Sequence, residues 1–527
     1  MVLRIDYLSP LPPVRSGISD YSVDLLPHLA ARCDVRVLRL PGQEVEPALA
    51  ARWRPEPAER AGADGRLPLY HMGNNRYHEA VWELALERPG VVVLHDLVLH
   101  HFLLDRTVGR GAFAPYLDQL ERDHGWIGRA AALPVRWGAF GRAAQFFLPA
   151  HRALLRRQRG VVVHGAWAAS VLAEEDPELA VRVVPMAIPL PPPASAERGL
   201  AFRRGRGIPA DAPLIGSFGF QTPIKRTETA IRALTRPGLE RVRLLIAGEL
   251  SPYADYDALA AELGVADRVT VTGFLPFADL EAAIAATDLC LNLRYPTAGE
   301  TSASLLRILA EGRPVVVSDY AEFGDLPDDI AVRIPLGEGE DEVLAERLRE
   351  FLLGDPARLA AMGERARRYV AERHLPERSA DALVAALEEL GRRAPPGDAP
   401  PAVPPPSTAL RDHATGEIRV AGLAGWRPGE RRAVEVTVAN RSRDRWRASR
   451  DRPGGVLFEV QLWEDGRDRY AGRPWLVLES PLDPGEERRF ALELRRPLSG
   501  GLLVVKPHVA LDHGTAVFGR WSWEELL

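Results

Sequence analysis

The hydrophobic positions of the first 190 residues form short β-branched runs that are separated by longer stretches of helical periodicity. The runs are "VLRIDYLSP", "DVRVLRL", "LPLYHMG", "GVVVLHD", "GVVVHGA" and "VRVVPMA". Strands that alternate with helices favour a parallel sheet with helices on both faces. The pattern therefore predicts an N-terminal Rossmann-like domain over residues 1–192.

The same alternation begins again at about residue 210. Its strand-like runs are "APLIGSFGF", "RVRLLIAGEL", "RVTVTGFL", "DLCLNLRYP", "RPVVVSDYA" and "IAVRIPL". Residues 340–393 then show apolar positions three and four apart, which predicts helices. We interpret residues 193–392 as a second Rossmann-like domain with closing helices, facing the first across a cleft. Because ligands of such sheets bind outside the carboxyl ends of the strands, the loops after the strands are the candidate sites.

A different pattern follows a proline-rich tract. "APPGDAPPAVPPP" holds seven prolines in thirteen residues, which predicts an extended linker over residues 393–407. Beyond it, runs such as "RRAVEVTVANRS" and "GVLFEVQLWED" alternate apolar and polar residues between Gly and Pro turns. This alternation is typical of an antiparallel β-sandwich. The expected fold class is α/β, with two Rossmann-like domains and an all-β domain over residues 408–527.

Length and composition are those of an ordinary globular protein of several domains, at 527 residues, 46% hydrophobic and 26% charged. Its apolar runs are interrupted by ionisable residues, so none of them predicts a membrane span. The chain starts as a strand and lacks the layout of a secretory signal, and two cysteines, Cys33 and Cys290, are too few for a disulfide framework. We expect a cytoplasmic protein.

Positive charge is concentrated in one region of a chain whose net charge is −5. Seven arginines and no acidic residue occur from Arg129 to Arg159, interleaved with aromatic residues. Such a stretch can contact an anionic membrane or hold an anionic acceptor. The alternative is a solvated face, since this chain uses arginine almost everywhere and has only two lysines. The negative net charge argues against a nucleic-acid partner.

The segment "RYPTAGETS" interrupts a predicted strand and helix of the second half. Thr301 or Ser302 is placed to cap the helix "ASLLRILAE", and free N–H groups at a helix start form an anion site. Glu300 can accept hydrogen bonds from the hydroxyls of a ribose or a sugar. A capping cluster without a ligand is the alternative.

Lys225 follows the first strand of the second sheet, in "GSFGFQTPIKRTE". Glycines in this loop allow close approach of the backbone to a ligand, and a compact ammonium is a good partner for phosphate. The alternative is an exposed lysine at a helix start.

The first half has corresponding loops. After strand one, Gly17 leaves room for a ligand, Ser16 and Ser19 can cap, and a helix is expected to begin near Asp20. His95 and Asp96 end a buried strand, where an imidazole serves either a site or the core. "HMGNNRYH" supplies Asn74, Asn75 and His78 as candidate partners of sugar hydroxyls.

Together, "SGISDYS", "HMGNNRYH", "VVVLHD", "FGFQTPIKRTE", "IAGEL" and the segment from Val242 to Asp319 resemble the GT-B-fold glycosyltransferases of glycosyltransferase family 4. The resemblance covers residues 1–392. It implies a nucleoside-diphosphate sugar bound mainly by the second domain, an acceptor bound mainly by the first, and transfer with retention of anomeric configuration. It also implies that no metal or other cofactor is needed, and that a closing helix near 380–392 returns to the first domain.

The resemblance also implies roles for single residues. Lys225 would stabilise the leaving diphosphate together with the helix start from Thr301 to Ser304, Glu300 would orient hydroxyls, and His95 would lie against the sugar. The remaining residues expected near the donor are Gly17, Gly219, Arg226, Gly248, Glu249, Gly273, Phe274, Arg294, Gly299, Thr301, Ser302 and Ser304. Asp20, Asn74, Asn75 and Asp96 are expected on the acceptor side.

Two positions depart from the pattern of the family. The family commonly has two glutamates eight apart, but counting from Glu300 reaches Ile308, and alignment on Gly312 places Arg307 in the second position. An arginine five residues before the phosphate-binding lysine would fall at Phe220. Both departures leave the identity of the donor open.

The C-terminal region is similar to immunoglobulin-like modules appended to bacterial polysaccharide enzymes. This region contains the tryptophans Trp446, Trp463, Trp475, Trp521 and Trp523. They form either a platform on which sugars stack or part of the core. The sequence thus predicts a retaining glycosyltransferase of bacterial surface-glycan assembly with a glycan or lipid-linked acceptor. The alternative is a non-catalytic carbohydrate- or partner-binding protein on a degenerate transferase scaffold.

Overall fold

The computed structural model describes residues 2–132, 135, 144–192, 196–252, 254–336, 339–397, 416–441, 445–446, 448–449, 456–464, 467–468, 475–498, 501–511, 514–517 and 522–526. The chain divides into two compact units. One comprises Met1–Gly73, Ala80–Asp96 and Gln158–Pro395, and the other comprises Asn74–Glu79, Leu97–Arg157 and Pro396–Leu527.

The first parallel sheet lies in the first unit and contains every strand predicted for residues 1–192. Its strands are Arg4–Leu8 (β1), Asp34–Arg39 (β2), Glu56–Pro57 (β3), Leu67–Met72 (β4), Val91–Leu94 (β5), Gly160–Val163 (β6) and Val181–Val183 (β7). Their order in the sheet is β3-β2-β1-β4-β5-β6-β7, with all pairs parallel. The short β3 is the one strand of this sheet that the hydrophobic pattern did not indicate. The valines of β5 and β6 are fully buried, as expected for strands covered by helices on both faces.

The helices of this half of the chain are Gly17–Ala30 (α1), Pro47–Trp53 (α2), Glu79–Glu87 (α3), His100–Arg106 (α4), Phe113–Ala132 (α5), Ala144–Phe147 (α6), Arg152–Leu155 (α7) and Ala166–Glu175 (α8). Helix α1 begins at Gly17, three residues before the expected start. The reason is the side chain of Ser16, which accepts a hydrogen bond from the N–H of Ile18 and so caps the helix. Ser19 therefore lies inside α1, where it is completely buried.

The second parallel sheet repeats the topology of the first within the same unit. Its strands are Leu214–Phe218 (β8), Arg243–Ala247 (β9), Val269–Gly273 (β10), Leu289–Asn292 (β11), Val315–Ser318 (β12) and Ala331–Ile334 (β13). They are ordered β10-β9-β8-β11-β12-β13, again all parallel. The chain order reverses between β8 and β11, and this reversal is the topological switch point at which doubly wound sheets bind ligands.

Eight helices accompany the second sheet in the described residues. They are Ala196–Gly205 (α9), Thr227–Ala233 (α10), Tyr256–Glu262 (α11), Phe277–Ala286 (α12), Ala303–Ala310 (α13), Glu340–Arg347 (α14), Pro356–Arg373 (α15) and Pro376–Leu390 (α16). The expected helices of residues 340–393 are confirmed. Helix α16 packs against α1. The guanidinium of Arg32, two residues after the end of α1, forms an ion pair with Asp381 on α16. The closing helix thus returns to the first sheet, as the resemblance implied.

The C-terminal region consists of antiparallel strands in two sheets. They are Gly416–Ala421 (β14), Arg431–Asn440 (β15), Val456–Glu464 (β16), Arg467–Asp468 (β17), Trp475–Val477 (β18), Glu487–Arg495 (β19), Gly501–Leu511 (β20), Gly514–Val517 (β21) and Ser522–Leu526 (β22). Val436 of β15 and Phe458 of β16 belong to one buried core shared by both sheets. The all-β class is therefore confirmed, and the immunoglobulin-like assignment stays a prediction.

The second unit combines this β region with α4–α7. Helix α6 lies against β21, and Arg156 donates a hydrogen bond to the carbonyl oxygen of Gly397 at 3.3 Å. A helical segment that the sequence places in the first domain is therefore compact with the C-terminal region. Residues 398–407 of the expected linker lie outside the described residues.

Candidate functional site

The loops after β8 and β11 meet at the switch point of the second sheet. A methyl group at Gly219, directly after β8, would lie 2.9 Å from Nζ of Lys225 and 3.7 Å from Cβ of Ser304 at the start of α13. The structure therefore brings together Gly219 and Ser304, which the sequence separates by 85 positions. Lys225, Arg294, Glu300 and the N-terminus of α13 form one cluster, called the switch-point cluster below.

Lys225 is buried at this point. It ends a 3₁₀ turn, Pro223–Lys225, and its ammonium donates a hydrogen bond to the carbonyl oxygen of Phe218. Burial lowers the pKa of Lys225 well below its usual value, with a further contribution from the guanidinium of Arg294, while the carboxylate of Glu300 acts in the opposite direction. An anion that binds here gains a cationic partner in a site with little competing water, where charge interactions are strong.

Glu300 is held within its own loop. Its Oε1 accepts from Nε of Arg294 at 3.0 Å, and its Oε2 accepts from the hydroxyl of Thr297 and the N–H of Ala298, both at 2.9 Å. The N–H of Gly299 bonds to the same threonine hydroxyl at 3.0 Å. A carboxylate has about four lone-pair sites, so three bonds leave about one for a hydroxyl of a ligand. Glu300 thus orients Arg294 and keeps one acceptor position.

The start of α13 is rich in hydroxyl groups. Ser302 caps the helix through the N–H of Leu305 at 3.2 Å and lies 3.1 Å from the hydroxyl of Ser304. Both hydroxyls donate towards Oδ1 of buried Asn292, at 3.3 and 3.5 Å. The predicted choice between Thr301 and Ser302 as the cap is decided for Ser302.

Close backbone packing fixes the loop after β8. A methyl group at Gly248 would lie 2.1 Å from the carbonyl oxygen of Gly219, and Gly248 has a φ of 143°. The N–H of Gly248 bonds to the carbonyl oxygen of Gly273, and the carbonyl oxygen of exposed Glu249 accepts from Gln221. These glycines therefore act by allowing backbone to approach backbone.

Two expected donor residues have other positions. The guanidinium of Arg226 forms an ion pair with the buried carboxylate of Glu340, so the structure does not bring it into the switch-point cluster. Phe274, after β10, is exposed, and the guanidinium of Arg15 lies over its ring at 5.1 Å. Phe220, at the position where an arginine was looked for, is exposed beside Gly219.

The two residues that alignment offers in place of the missing glutamate have different environments. Ile308 is completely buried in the core, whereas Arg307 faces α1 with its guanidinium 3.7 Å from the carboxylate of Asp24. Burial raises the pKa of Asp24 to about 6, Arg307 opposes this effect, and the carboxylate of Asp20 one turn earlier adds to it. Arg307 therefore links α13 to α1, whereas Ile308 contributes to the core.

Glu322 is a site residue that the sequence analysis missed. It lies in a 3₁₀ turn after β12, Ala321–Asp325, and its Oε2 accepts from the hydroxyl of Thr301 at 3.3 Å. A methyl group at Gly165, before α8, would lie 2.9 Å from the same oxygen. Burial raises the pKa of Glu322 well above its usual value, and the carboxylate of Glu300 raises it further. Both effects favour the neutral form of the side chain.

We expect Glu322→Gln to gain stability relative to the wild type as the pH rises. Glutamine has the shape of the neutral acid, whereas the raised folded-state pKa gives wild-type Glu322 a stabilising contribution that is complete below the unfolded pKa of about 4.3 and is lost as the pH rises through the folded pKa. Melting temperatures of both proteins from pH 4.5 to 9 measure the difference. Glu388→Gln, on the exposed face of α16, is the control. A constant difference across this range would contradict the prediction.

The carboxyl ends of β4, β5 and β6 carry three buried histidines. Nδ1 of His71 lies 3.0 Å from Nε2 of His95, and Nδ1 of His95 lies 3.2 Å from Nε2 of His164. Nδ1 of His164 lies 2.8 Å from the carbonyl oxygen of Val184. This arrangement, called the histidine chain below, occupies both ring nitrogens of His95.

Sequence reasoning identified His95 and missed its two partners. The signal was present, since three of the predicted strands, "LPLYHMG", "GVVVLHD" and "GVVVHGA", each end at or near a histidine. Only the strand order β4-β5-β6 shows that these ends are neighbours. Gly165 follows His164 directly and contacts Glu322, so the histidine chain adjoins the second sheet's loops.

The other first-half residues have diverse positions. Gly17 is the first residue of α1, and the space where a Cβ would lie is open. Asp20 is exposed on the same helix. Asp96 follows His95 and is half-buried. Asn74 and Asn75 belong to the second unit, where they brace their own loop. Nδ2 of Asn74 lies 3.0 Å from His101, and Asn75 accepts from the N–H of Tyr77.

The remaining candidates serve the second unit or lie outside the described residues. His78 is buried with its Nδ1 against Oδ1 of Asn75, and burial lowers its pKa to about 4. In the arginine-rich stretch, Arg136 and Arg142 lie outside the described residues. Trp446 is a core residue and not part of an exposed sugar-stacking platform. Trp521 lies outside the described residues.

Neither a metal site nor a membrane span emerges from the part of the chain that the structure describes. No cluster of three or more His, Cys, Asp or Glu side chains there has the arrangement of a metal site. In the histidine chain, nitrogen atoms meet in pairs and do not converge on one point. No helix within the same residues combines the length and apolar character that crossing a bilayer requires.

Part of the chain is similar to known glycosyltransferases. Residues 212–353 match the family described as Glycosyl transferases group 1, a range that contains the switch-point cluster and Glu322. The chain is 28% identical over 229 residues to a 2-deoxystreptamine glucosyltransferase of Streptomyces kanamyceticus, covering 41% of this chain and 57% of that protein. It is 29% identical over 154 residues to an MMP alpha-(1->4)-mannosyltransferase of Mycolicibacterium hassiacum, covering 28% and 36%. The chain thus spans about half the length of the curated relatives it matches.

Two solved structures share the fold. Sucrose-phosphate synthase from Thermosynechococcus elongatus has a TM-score of 0.51 at 18% identity and covers 74% of this chain and 99% of its own. Anabaena Alr3699/HepE in complex with UDP and glucose has a TM-score of 0.51 at 15% identity and covers 73% and 100%. The expected fold class, two parallel-sheet α/β domains followed by an all-β region, is confirmed.

Proposed function

We propose that this protein, whose residues 212–353 match the family described as Glycosyl transferases group 1, transfers a sugar from a nucleoside-diphosphate sugar to a glycan or a lipid-linked acceptor. The supporting observation is the switch-point cluster, which places a buried ammonium, a guanidinium and a hydroxyl-rich helix start at one point. These groups match a diphosphate. A sugar attached to it would extend towards the loops of the first sheet.

The cluster acts mainly by electrostatic stabilisation. When the bond between the anomeric carbon and the diphosphate oxygen breaks, negative charge grows on the diphosphate. Lys225 and Arg294 are preorganised beside that charge, and the free N–H groups and the dipole at the start of α13 favour an anion as well. A new bond forms from the anomeric carbon to the acceptor oxygen, and the hydroxyl proton passes to the leaving phosphate oxygen.

Glu300 contributes positioning. It fixes Arg294 through Oε1 and retains about one acceptor position for a ribose or sugar hydroxyl. His95 is assigned to the sugar end of the site, as the resemblance implies. Two cationic side chains, Lys225 and Arg294, lie at the proposed diphosphate position, which supports our proposal that transfer needs no metal. Retention of configuration is proposed on the family resemblance alone.

The acceptor is assigned to the first sheet and its loops, with Asp20 and Asp96 on that side. Helix α1 carries Asp20 and is linked to the second sheet through Arg307. We assign the protein to bacterial polysaccharide or cell-surface glycan assembly, in the cytoplasm or on the inner face of the membrane. The arginine-rich stretch from Arg129 to Arg159 is the candidate contact with anionic lipid.

A titration of thermal stability tests the donor assignment. We expect one of UDP, GDP and ADP, with UDP tried first because the Anabaena protein is described with UDP, to raise the melting temperature of the full-length protein. A ligand at a hundred times its dissociation constant stabilises by about 2.7 kcal/mol. Lys225→Ala should abolish the shift, and Arg241→Ala, which removes an exposed guanidinium paired with Asp211, should retain it.

The outcomes distinguish the two readings of the sequence. A shift with one nucleotide, followed by sugar transfer from its conjugate, supports the transferase. No shift with any nucleotide or nucleotide sugar favours a carbohydrate- or partner-binding protein on a degenerate scaffold, for which Ile308 or Arg307 in place of a glutamate is the supporting observation. Glycans would then be the next ligands to test.

A further inference from the structure

We propose that His71 and His164 are positioning residues that hold the imidazole of His95 in one neutral tautomer, with its proton on Nδ1. Neither His71 nor His164 is among the site residues for which the family resemblance implied a role. The effect of this tautomer on catalysis rests on the proposed function, whereas the tautomer itself is a property of the protein alone.

The carbonyl oxygen of Val184 sets the direction of the histidine chain. A carbonyl oxygen only accepts hydrogen bonds, so Nδ1 of His164, 2.8 Å away, must carry a proton. Burial lowers the pKa of His164 to about 4, so the ring is neutral at physiological pH. A neutral ring with a proton on Nδ1 has a lone pair on Nε2.

The next two rings have the same orientation of donor and acceptor. Nε2 of His164 accepts, so Nδ1 of His95, at 3.2 Å, must donate. His95 is only 5% exposed, and burial disfavours the charged form of an imidazole. Nε2 of the neutral ring then accepts from Nδ1 of His71 at 3.0 Å. All three rings therefore have the proton on Nδ1, and His95 is fixed from both sides.

Aromatic rings enclose the histidine chain. Tyr21 of α1 lies with its ring centroid 5.0 Å from that of His95, 5.4 Å from that of His164 and 5.7 Å from that of His71. Tyr7 of β1 lies 4.5 Å from His71. These phenols have raised pKa values because they are buried, so they remain neutral at physiological pH. The three imidazoles are correspondingly buried, with at most 7% of each residue exposed.

A fixed neutral imidazole suits the proposed reaction. Positive charge develops at the anomeric carbon as the diphosphate leaves, and an imidazolium beside that carbon would oppose it. Removing a partner that orients a metal-binding histidine typically lowers activity about ten- to a hundredfold. We expect a loss of similar size when a partner of His95 is removed.

The first test reads the tautomer directly in the full-length protein. With ¹⁵N-labelled histidine, long-range ¹H–¹⁵N correlations distinguish a protonated nitrogen from one with a lone pair. We expect His95 and His164 to have protonated Nδ1 and unprotonated Nε2 at pH 7.5. A proton on Nε2 of His95, or a charged ring, would overturn the proposal without any variant.

The second test uses two substitutions of His164. Glutamine can donate to the carbonyl oxygen of Val184 and accept from His95, so His164→Gln should preserve the tautomer and keep kcat within about threefold. Leucine removes the acceptor, so His164→Leu should release the Nδ1 proton of His95 to Nε2 and lower kcat at least about tenfold. The KM for the donor should stay within about twofold, because Lys225 and Arg294 are unchanged.

His374→Leu is the matched control. Its imidazole is also buried and also bonded to a carbonyl oxygen, that of Met186 at 3.0 Å, but it is not a member of the histidine chain. It should lower stability without changing the tautomer of His95. An unchanged tautomer in His164→Leu would contradict the proposal. If instead no nucleotide sugar supports transfer, the proposed function fails while the tautomer measurement still decides this inference.

Discussion

Replacing Lys225 by methionine should lower kcat at least about a hundredfold while leaving the melting temperature unchanged or higher. Methionine has similar length and fills the same space, so the buried volume is kept. The lost ammonium is the group placed against the leaving diphosphate, and removing one preorganised donor typically costs a hundred- to a thousandfold. Stability should not fall, because a buried cation whose pKa is lowered well below its usual value is costly to maintain.

Initial-rate assays with the donor identified by the titration measure this effect. Lys225→Arg is a second informative variant. It keeps the positive charge, but a guanidinium is larger than the ammonium that lies close to Gly219. Arg241→Ala, at an exposed ion pair, is the control and should retain turnover. Near-wild-type kcat in Lys225→Met would remove Lys225 from the proposed mechanism.

The second large effect is expected for Gly248→Ala. The added methyl group would lie 2.1 Å from the carbonyl oxygen and 2.6 Å from the carbonyl carbon of Gly219, so the backbone of the loop after β8 must move. The φ of 143° adds strain. Overpacking and backbone strain each cost about 1–3 kcal/mol. The displaced loop carries the contacts around Lys225, so nucleotide affinity should fall at least about tenfold.

Melting temperature and nucleotide titration together test this expectation. Gly264→Ala is the matched control, because Gly264 also has a positive φ, of 69°, but is exposed with open space around it. Strain alone should cost it about 1–2 kcal/mol and leave nucleotide affinity unchanged. Equal nucleotide affinities for Gly248→Ala and Gly264→Ala would show that the close packing of Gly248 against the backbone of Gly219 does not shape the site.

Much of the architecture was determined by local pattern. Each predicted parallel strand exists, because runs such as "GVVVLHD" and "RPVVVSD" are apolar enough to be buried on both faces and are bounded by turn residues. The cluster "GETS" was identified as a helix start because a hydroxyl before an apolar periodic stretch is a capping signal. Lys225 was identified because lysine is rare in this chain.

Tertiary structure decided which of these residues meet. The sequence placed Arg226 beside Lys225 in the candidate site, but its guanidinium pairs with Glu340, more than a hundred positions away. Two alignments of the missing glutamate, at Arg307 and Ile308, could not be separated by counting. Only the rotation of α13 against the core shows that Ile308 is buried while Arg307 faces Asp24.

The histidine chain shows the same limit most clearly. Local sequence determined that three strands end at or near a histidine, because strand ends are set by hydrophobic runs. Whether those ends are adjacent depends on strand order, which long-range packing determines, and the direction of the hydrogen bonds depends on a carbonyl group at Val184. By itself the sequence determined the elements, their class and the residue types available for chemistry. Partners, burial and protonation were decided by the tertiary structure, because each is a property of groups that the fold brings together from distant positions.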